Sequence, residues 1–188
     1  MNSIVPHWLM LASIGIALSG CFEGPAVEAP PPEELTREVS GYYCQMIVAD
    51  HIGPKAQIFL KNRDKPSWFP SVRDAFAFLM LPSEQKNIAA VYVTDMAKAK
   101  NWETPEPGTW TDGRRATYVL GSSLKGGMGL GEIVPFSSEK AARAFIEKHG
   151  GRLSRMADVP ESYVFPDPDS DEPQAPQGLE PTASVSNE

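Results

Sequence analysis

Between residues 39 and 162 the apolar positions spell out one succession of elements twice, and this repetition constrains the fold more than any single motif. In the first round an apolar run at 46–49 reads as a short strand, ahead of a turn at Gly53-Pro54. Ala56-Gln57-Ile58-Phe59-Leu60 has the content of a second strand. Residues 73–81 place Ala75, Phe76, Phe78, Leu79 and Met80 in a short helix, with Ser71 or Asp74 as cap and Pro82 as stop. Ala89-Ala90-Val91-Tyr92-Val93 returns as a strand. In the second round, 116–120 and 132–136 read as strands and Ser137 or Ser138 caps a helix over 139–149. Gly150-Gly151 ends that helix, and 152–155 supply one more strand. The expectation is an α+β fold of two small tandem ββαβ-like units packed together, about 39–95 and 96–162.

The flanks read differently. Residues 5–18 hold an apolar run too brief to span a bilayer but long enough for a signal-peptide core. No Lys or Arg precedes it, a departure from the usual signal pattern. Leu18-Ser19-Gly20-Cys21 nevertheless resembles the bacterial lipoprotein box, whose cysteine becomes the lipidated first residue of the mature chain. The expectation is a signal peptide over 1–20, a lipid on Cys21 and a membrane-anchored protein facing the periplasm. Phe22 in place of aspartate favours the outer over the inner membrane. The alternative is an ordinary secretory signal followed by a coincidental cysteine. Residues 21–38, with Pro25, Pro30, Pro31 and Pro32, read as a Pro-rich tether, and 163–188 as a disordered acidic tail.

A net charge of −7 argues against nucleic acid, which demands a concentrated basic surface. If lipid consumes Cys21, the single thiol left is Cys44, and one thiol makes no intramolecular disulfide. In an oxidising compartment it is either buried and inert or present for chemistry. Met46 stands two positions on, where an extended strand would turn both sulfurs to one face. Thiolate and thioether are soft donors that favour monovalent copper. On spacing alone two core residues are the better explanation of the pair. The exported context, the leftover thiol and a nearby imidazole, His51, favour a site; His51 is either a third donor or a surface residue beside a turn.

Gly121-Ser122-Ser123-Leu124-Lys125-Gly126-Gly127-Met128-Gly129 is glycine-rich but lacks the order of a phosphate loop. It sets Met128 between glycines, as a further sulfur donor or, the better reading of the loop alone, as a plug for the core. No His-x-x-x-His, Cys-x-x-Cys or nucleophile elbow occurs, so zinc hydrolase, thioredoxin-like and α/β-hydrolase chemistry lack support. Arg73, Asp74 and Asp95 are explained by surface pairing, capping and turns.

In order along the chain these pieces resemble the NosL family, bacterial lipoproteins that help supply copper to nitrous oxide reductase. The resemblance rests on the lipoprotein box, on Cys44-Gln45-Met46 with Asp50-His51-Ile52-Gly53-Pro54-Lys55-Ala56-Gln57-Ile58, and on Ser71-Val72-Arg73-Asp74-Ala75-Phe76. It continues through Val91-Tyr92-Val93-Thr94-Asp95-Met96 into the glycine-rich loop. Gln45 departs from the common Cys-Gly-Met. The resemblance implies one Cu(I) ion, with Cys44 and Met46 as leading ligands, Met128 next and His51 after it. It also implies no enzymatic activity, and as partners the ABC-type transporter complex of reductase maturation and, through it, nitrous oxide reductase. Two rival functions remain: a metal-free lipoprotein module scaffolding a periplasmic complex, and a thiol enzyme or redox sensor, which lacks a resolving cysteine.

Overall fold

The computed structural model describes residues 29–82, 87–127 and 129–166. The leader, Cys21, Met128 and the tail from residue 167 lie outside the described residues.

The first sheet is built from β1 (Ala56–Leu60), β2 (Ser67–Phe69), β3 (Ile88–Thr94) and β4 (Trp110–Asp112), in the order β2-β1-β3-β4. Every pairing is antiparallel, with Ala56 opposite Phe69 on one side and Val93 on the other. Helix α1 (Val72–Met80) joins β2 to β3. The second sheet has β5 (Thr117–Leu120) at its centre, flanked by β6 (Val134–Phe136) and β7 (Arg152–Ser154), with α2 (Glu139–His149) between β6 and β7. In each unit the first strand is central and the next two flank it. The doubled ββαβ order expected from the sequence is the architecture.

One strand of the first unit is not where the sequence put it. The run at 46–49 forms no strand; Val48–Asp50 is a 3₁₀ turn, and β2 fills the second place. Only Val48 of this stretch is anchored in the interior, while Met46 and Ile47 face outward. β4 lies past the expected division at residue 95 yet pairs with β3. A short α3 (Glu161–Val164) closes the described chain against α1.

Alternation along β5 joins the units. Tyr118 and Leu120 enter the main core with Ile58, Phe69 and Phe76, and the Tyr118 ring meets Phe76 edge-on at 5.1 Å. Val119 points the other way, into a cluster with Phe136 and Ala142 beneath α2. Each such buried side chain contributes about 1.5–3 kcal/mol relative to exposure. Ser71 caps α1 and Ser138 caps α2, each accepting a backbone N–H with its hydroxyl.

β1 is buried along its whole length, Gln57 included. The Gln57 amide is paired reciprocally with the backbone of residue 33. Glu33 N donates to Oε1 (2.8 Å) and Nε2 donates to Glu33 O (2.9 Å). Tyr92 donates its hydroxyl to Pro30 O (2.8 Å), and the Glu34 carboxylate accepts from Gly108 N (3.1 Å). The second half of the expected tether is therefore strapped to the first sheet. Backbone hydrogen bonds to a buried amide supply what its side chains lack in apolar surface.

Candidate metal centre

Cys44 and Met46 sit on a closed loop. Val48 N donates to Val39 O (2.9 Å), Gly41 N to Met46 O (2.8 Å) and Gln45 N to Gly41 O (3.0 Å). Tyr42 N donates to Trp68 O (2.7 Å), tying the loop to β2, and the Tyr42 ring packs edge-on against Phe78. Between the two sulfur residues, Gln45 has φ of 57°, the left-handed region. The extended strand expected here is thus a tight turn, and strand alternation does not set where the two sulfurs point. Gln45 holds this backbone with its own side chain, Nε2 donating to Tyr42 O (2.8 Å) and Gly41 O (3.2 Å). Cys44 is a free, half-buried thiol, and Met46 is 48 % exposed. A β-carbon at Gly41 would lie 2.7 Å from the Cys44 Sγ, so the thiol uses space that glycine leaves.

His51 follows the 3₁₀ turn, and its ring meets the glycine-rich loop of the second unit. Nδ1 lies 3.2 Å from Gly127 O. A carbonyl only accepts, so in this bond Nδ1 carries the proton and Nε2 of the neutral ring keeps its lone pair. Metal-ligating imidazoles are commonly fixed in this way. The loop itself is closed by Gly126 N donating to Leu130 O (2.9 Å) and by a bridge between Lys125 and Gly131. Contact is close: a β-carbon at Gly127 would lie 2.6 Å from His51 Cβ. The structure therefore brings together His51 and the residue next to Met128, while Cys44 and Met46 share the loop just upstream of His51.

Beneath this loop lies a buried charge that the sequence reading passed over. Glu132 is 1 % exposed, and its Oε1 accepts from Ile133 N (2.9 Å), Arg73 N (3.1 Å) and Ser71 Oγ (3.4 Å). Burial pushes its carboxyl up to about 7, against the pull of the Ile133 and Arg73 backbone N–H groups. Lys55, also buried, is lowered to about 8 by desolvation, with the Glu132 charge opposing, and donates Nζ to Gly53 O (2.5 Å). The Asp74 carboxyl is raised by burial, against the attraction of Arg73 and His51. Arg73 is not on the surface as expected, whereas Asp95 holds a turn as expected but is buried. Arg73 is 5 % exposed and donates to Tyr163 O, while Asp95 Oδ1 accepts from Ser137 N (2.8 Å) and Ala97 N (3.0 Å). A carboxylate opening the run Glu132-Ile133-Val134-Pro135-Phe136 was the available signal: a charge inside an apolar strand pattern is buried at a cost unless held.

A cavity of about 180 Å³ opens beside His51, Lys55, Ala49, Thr94 and Trp110, but neither Cys44 nor Met46 lines it. Among the described residues no three His, Cys, Asp or Glu side chains converge as a cage for a hard cation. The donors that loops present are one thiol, an exposed thioether and one oriented imidazole.

A doubled ββαβ fold that carries a thiol, a thioether and an imidazole on the loop before its first sheet defines a class of small α+β proteins. The chain belongs to the NosL family, whose model matches residues 32–164. It is 40 % identical over 160 residues to the copper-binding lipoprotein NosL of Achromobacter cycloclastes, covering 85 % of this chain and 82 % of that one. It is 32 % identical over 157 residues to the copper-binding lipoprotein NosL of Stutzerimonas stutzeri, covering 83 % and 80 %. The crystal structure of the copper chaperone NosL from Shewanella denitrificans superposes with a TM-score of 0.67 at 34 % identity, over 71 % of this chain and 99 % of that one.

Proposed function

We propose that this protein is a membrane-anchored carrier that binds Cu(I) reversibly and delivers it for copper-site assembly in nitrous oxide reductase. The observation that carries the reading is the pairing of a free Cys44 with an outward-facing Met46 on one loop, upstream of an imidazole whose Nδ1 faces Gly127 O. Sulfur and neutral imidazole suit a monovalent, polarisable ion, and the copper binding named for the relatives agrees with that donor chemistry. Cys44 and Met46 are the leading ligands, with Met128 and His51 completing the set.

A carrier must release what it captures. A few ligands on surface loops meet that need, because donors from a partner can replace them one at a time. The partners in this reading are the ABC-type transporter complex of reductase maturation and, through it, the reductase itself. Lipid on Cys21 would hold the protein at the periplasmic side of a membrane, the outer one on the evidence of Phe22. No reaction is assigned to the carrier itself.

Competition between the reduced protein and a chromophoric Cu(I) chelator tests the reading. One ion retained per chain, lost on Cys44→Ser, supports it. Failure to hold Cu(I) against a mild chelator removes it and favours a metal-free scaffold.

A further inference from the structure

We propose that Glu132 is a positioning residue for the copper centre, acting through the glycine-rich loop on His51; the inference rests on the Cu(I) reading above. The carboxylate is pinned on one side. Its Oε1 accepts Arg73 N and Ser71 Oγ from the start of α1, and Ile133 N from its own strand. This is a cap supplied to a first-unit helix by a second-unit residue, with the anion where the helix dipole favours it.

The other oxygen faces the loop. Oε2 is buried with no hydrogen-bond partner, and a β-carbon built on Gly126 would lie 2.1 Å from it and 2.9 Å from the carboxyl carbon. Gly126 thus rests directly on the carboxylate. The next residue, Gly127, is the one that receives His51 Nδ1 and leaves no room for a side chain beside His51 Cβ. From α1 through Glu132 to Gly126, and from Gly127 to the imidazole, the chain of contacts is continuous. A buried carboxylate that leaves one oxygen unsatisfied carries a desolvation cost. Here that oxygen serves as the floor that fixes the loop's height against His51. The loop in turn fixes the imidazole's tautomer and orientation.

The test is Cu(I) affinity by chelator competition, with X-ray absorption of the loaded protein, on the full chain and four variants. Glu132→Ala removes both the floor and the cap acceptor. It should lower affinity about ten- to hundredfold, the usual scale for a group behind a ligand, and weaken the imidazole outer-shell scattering while sulfur scattering persists. Glu132→Gln keeps the shape and an accepting Oε1 and should stay near the wild type. Gly126→Ala leaves Glu132 in place but drives a methyl into Oε2, and should reproduce the loss; it decides the matter if Glu132→Ala fails to fold. Ser138→Ala weakens the cap of α2 without touching Glu132 or the loop and should lower thermal stability but not affinity.

Wild-type affinity in both Glu132→Ala and Gly126→Ala would overturn the positioning role while leaving the carrier intact. An equal loss in Ser138→Ala would reduce the effect to general destabilisation and overturn it as well. A wild-type protein that holds no Cu(I) would bring down the carrier reading and this one with it.

Discussion

The Nδ1 of His51 lies 3.2 Å from the carbonyl oxygen of Gly127, a contact across 76 positions that joins the loop before the first sheet to the loop inside the second. It makes the imidazole's orientation a property of both units. Gly127→Ala would place a methyl 2.6 Å from His51 Cβ and 3.0 Å from Ile52 O, forcing the loop away. Cu(I) affinity should fall about ten- to hundredfold with the helix and sheet content unchanged. Chelator competition alongside circular dichroism measures both, and unaltered affinity would detach His51 from the site.

Cys44→Ser should abolish most Cu(I) binding and leave the fold standing. The thiol belongs to neither hydrophobic cluster and sits half-buried on a loop, so the change in stability should stay within about 1 kcal/mol. Binding by the wild-type protein should also weaken as pH falls, because protons compete with the metal for the thiolate. A serine variant that still retains the ion would exclude Cys44 as a ligand.

The central strands and the two longer helices, though not the four-residue α3, were legible because each repeats its apolar pattern over several positions. Val72–Met80 and Glu139–His149 carry cap residues as well as a buried face, and both lie within a residue of their expected bounds. Three-residue elements such as β2 and β4 hold one period of strand alternation, too little to stand out, and the run at 46–49 shows why an apolar stretch need not be a strand: a single residue, Val48, is its anchor. The soft donors could be named from residue type alone. Their support could not, since Glu132, Lys55 and Asp74 matter through burial, and burial of a polar side chain follows from tertiary packing.

Gln45 offers a test of the turn between the sulfurs. At φ of 57° a β-branched side chain clashes with its own backbone, and Gln45→Val would also lose the two bonds from Nε2. A loss of about 2 kcal/mol is expected. Gln45→Gly trades those bonds for relief of the left-handed conformation, so it should remain within about 1 kcal/mol of the wild type. Glycine, the residue that the resemblance leads one to expect at this position, fits the same geometry. Urea unfolding of the three proteins separates the outcomes; a valine variant as stable as glutamine would mean the loop relaxes freely.

Gln57 can be tested as the clasp of the N-terminal strap. In Gln57→Leu the backbone N–H and C=O of Glu33 lose both partners and must return to water, lifting the segment from β1. The expected cost is about 2 kcal/mol. Limited proteolysis should cut residues 30–38 much faster in the variant. Equal cutting rates would show that Tyr92 and Gly108 hold the strap unaided.

Stability of the metal-free protein should dip near neutrality, and the sign follows from where two buried groups bind protons. Glu132 is raised from 4.5 to about 7, so between those values the folded chain binds a proton that the unfolded chain has lost. Stability is therefore fully present below the unfolded value and falls as pH climbs towards 7, by about 3 kcal/mol from this group alone. Asp74, raised by burial too, pushes in the same direction from a lower starting point. Lys55 is lowered from 10.5 to about 8, so between those values it is the unfolded chain that binds the extra proton, and stability recovers as pH rises. Thermal midpoints from pH 4 to 10 should trace a minimum between 7 and 8, and Glu132→Gln should flatten the acidic limb while keeping the alkaline one. A wild-type midpoint that rises steadily from pH 5 to 7 would mean the Glu132 carboxylate is better compensated than its single pinned oxygen implies.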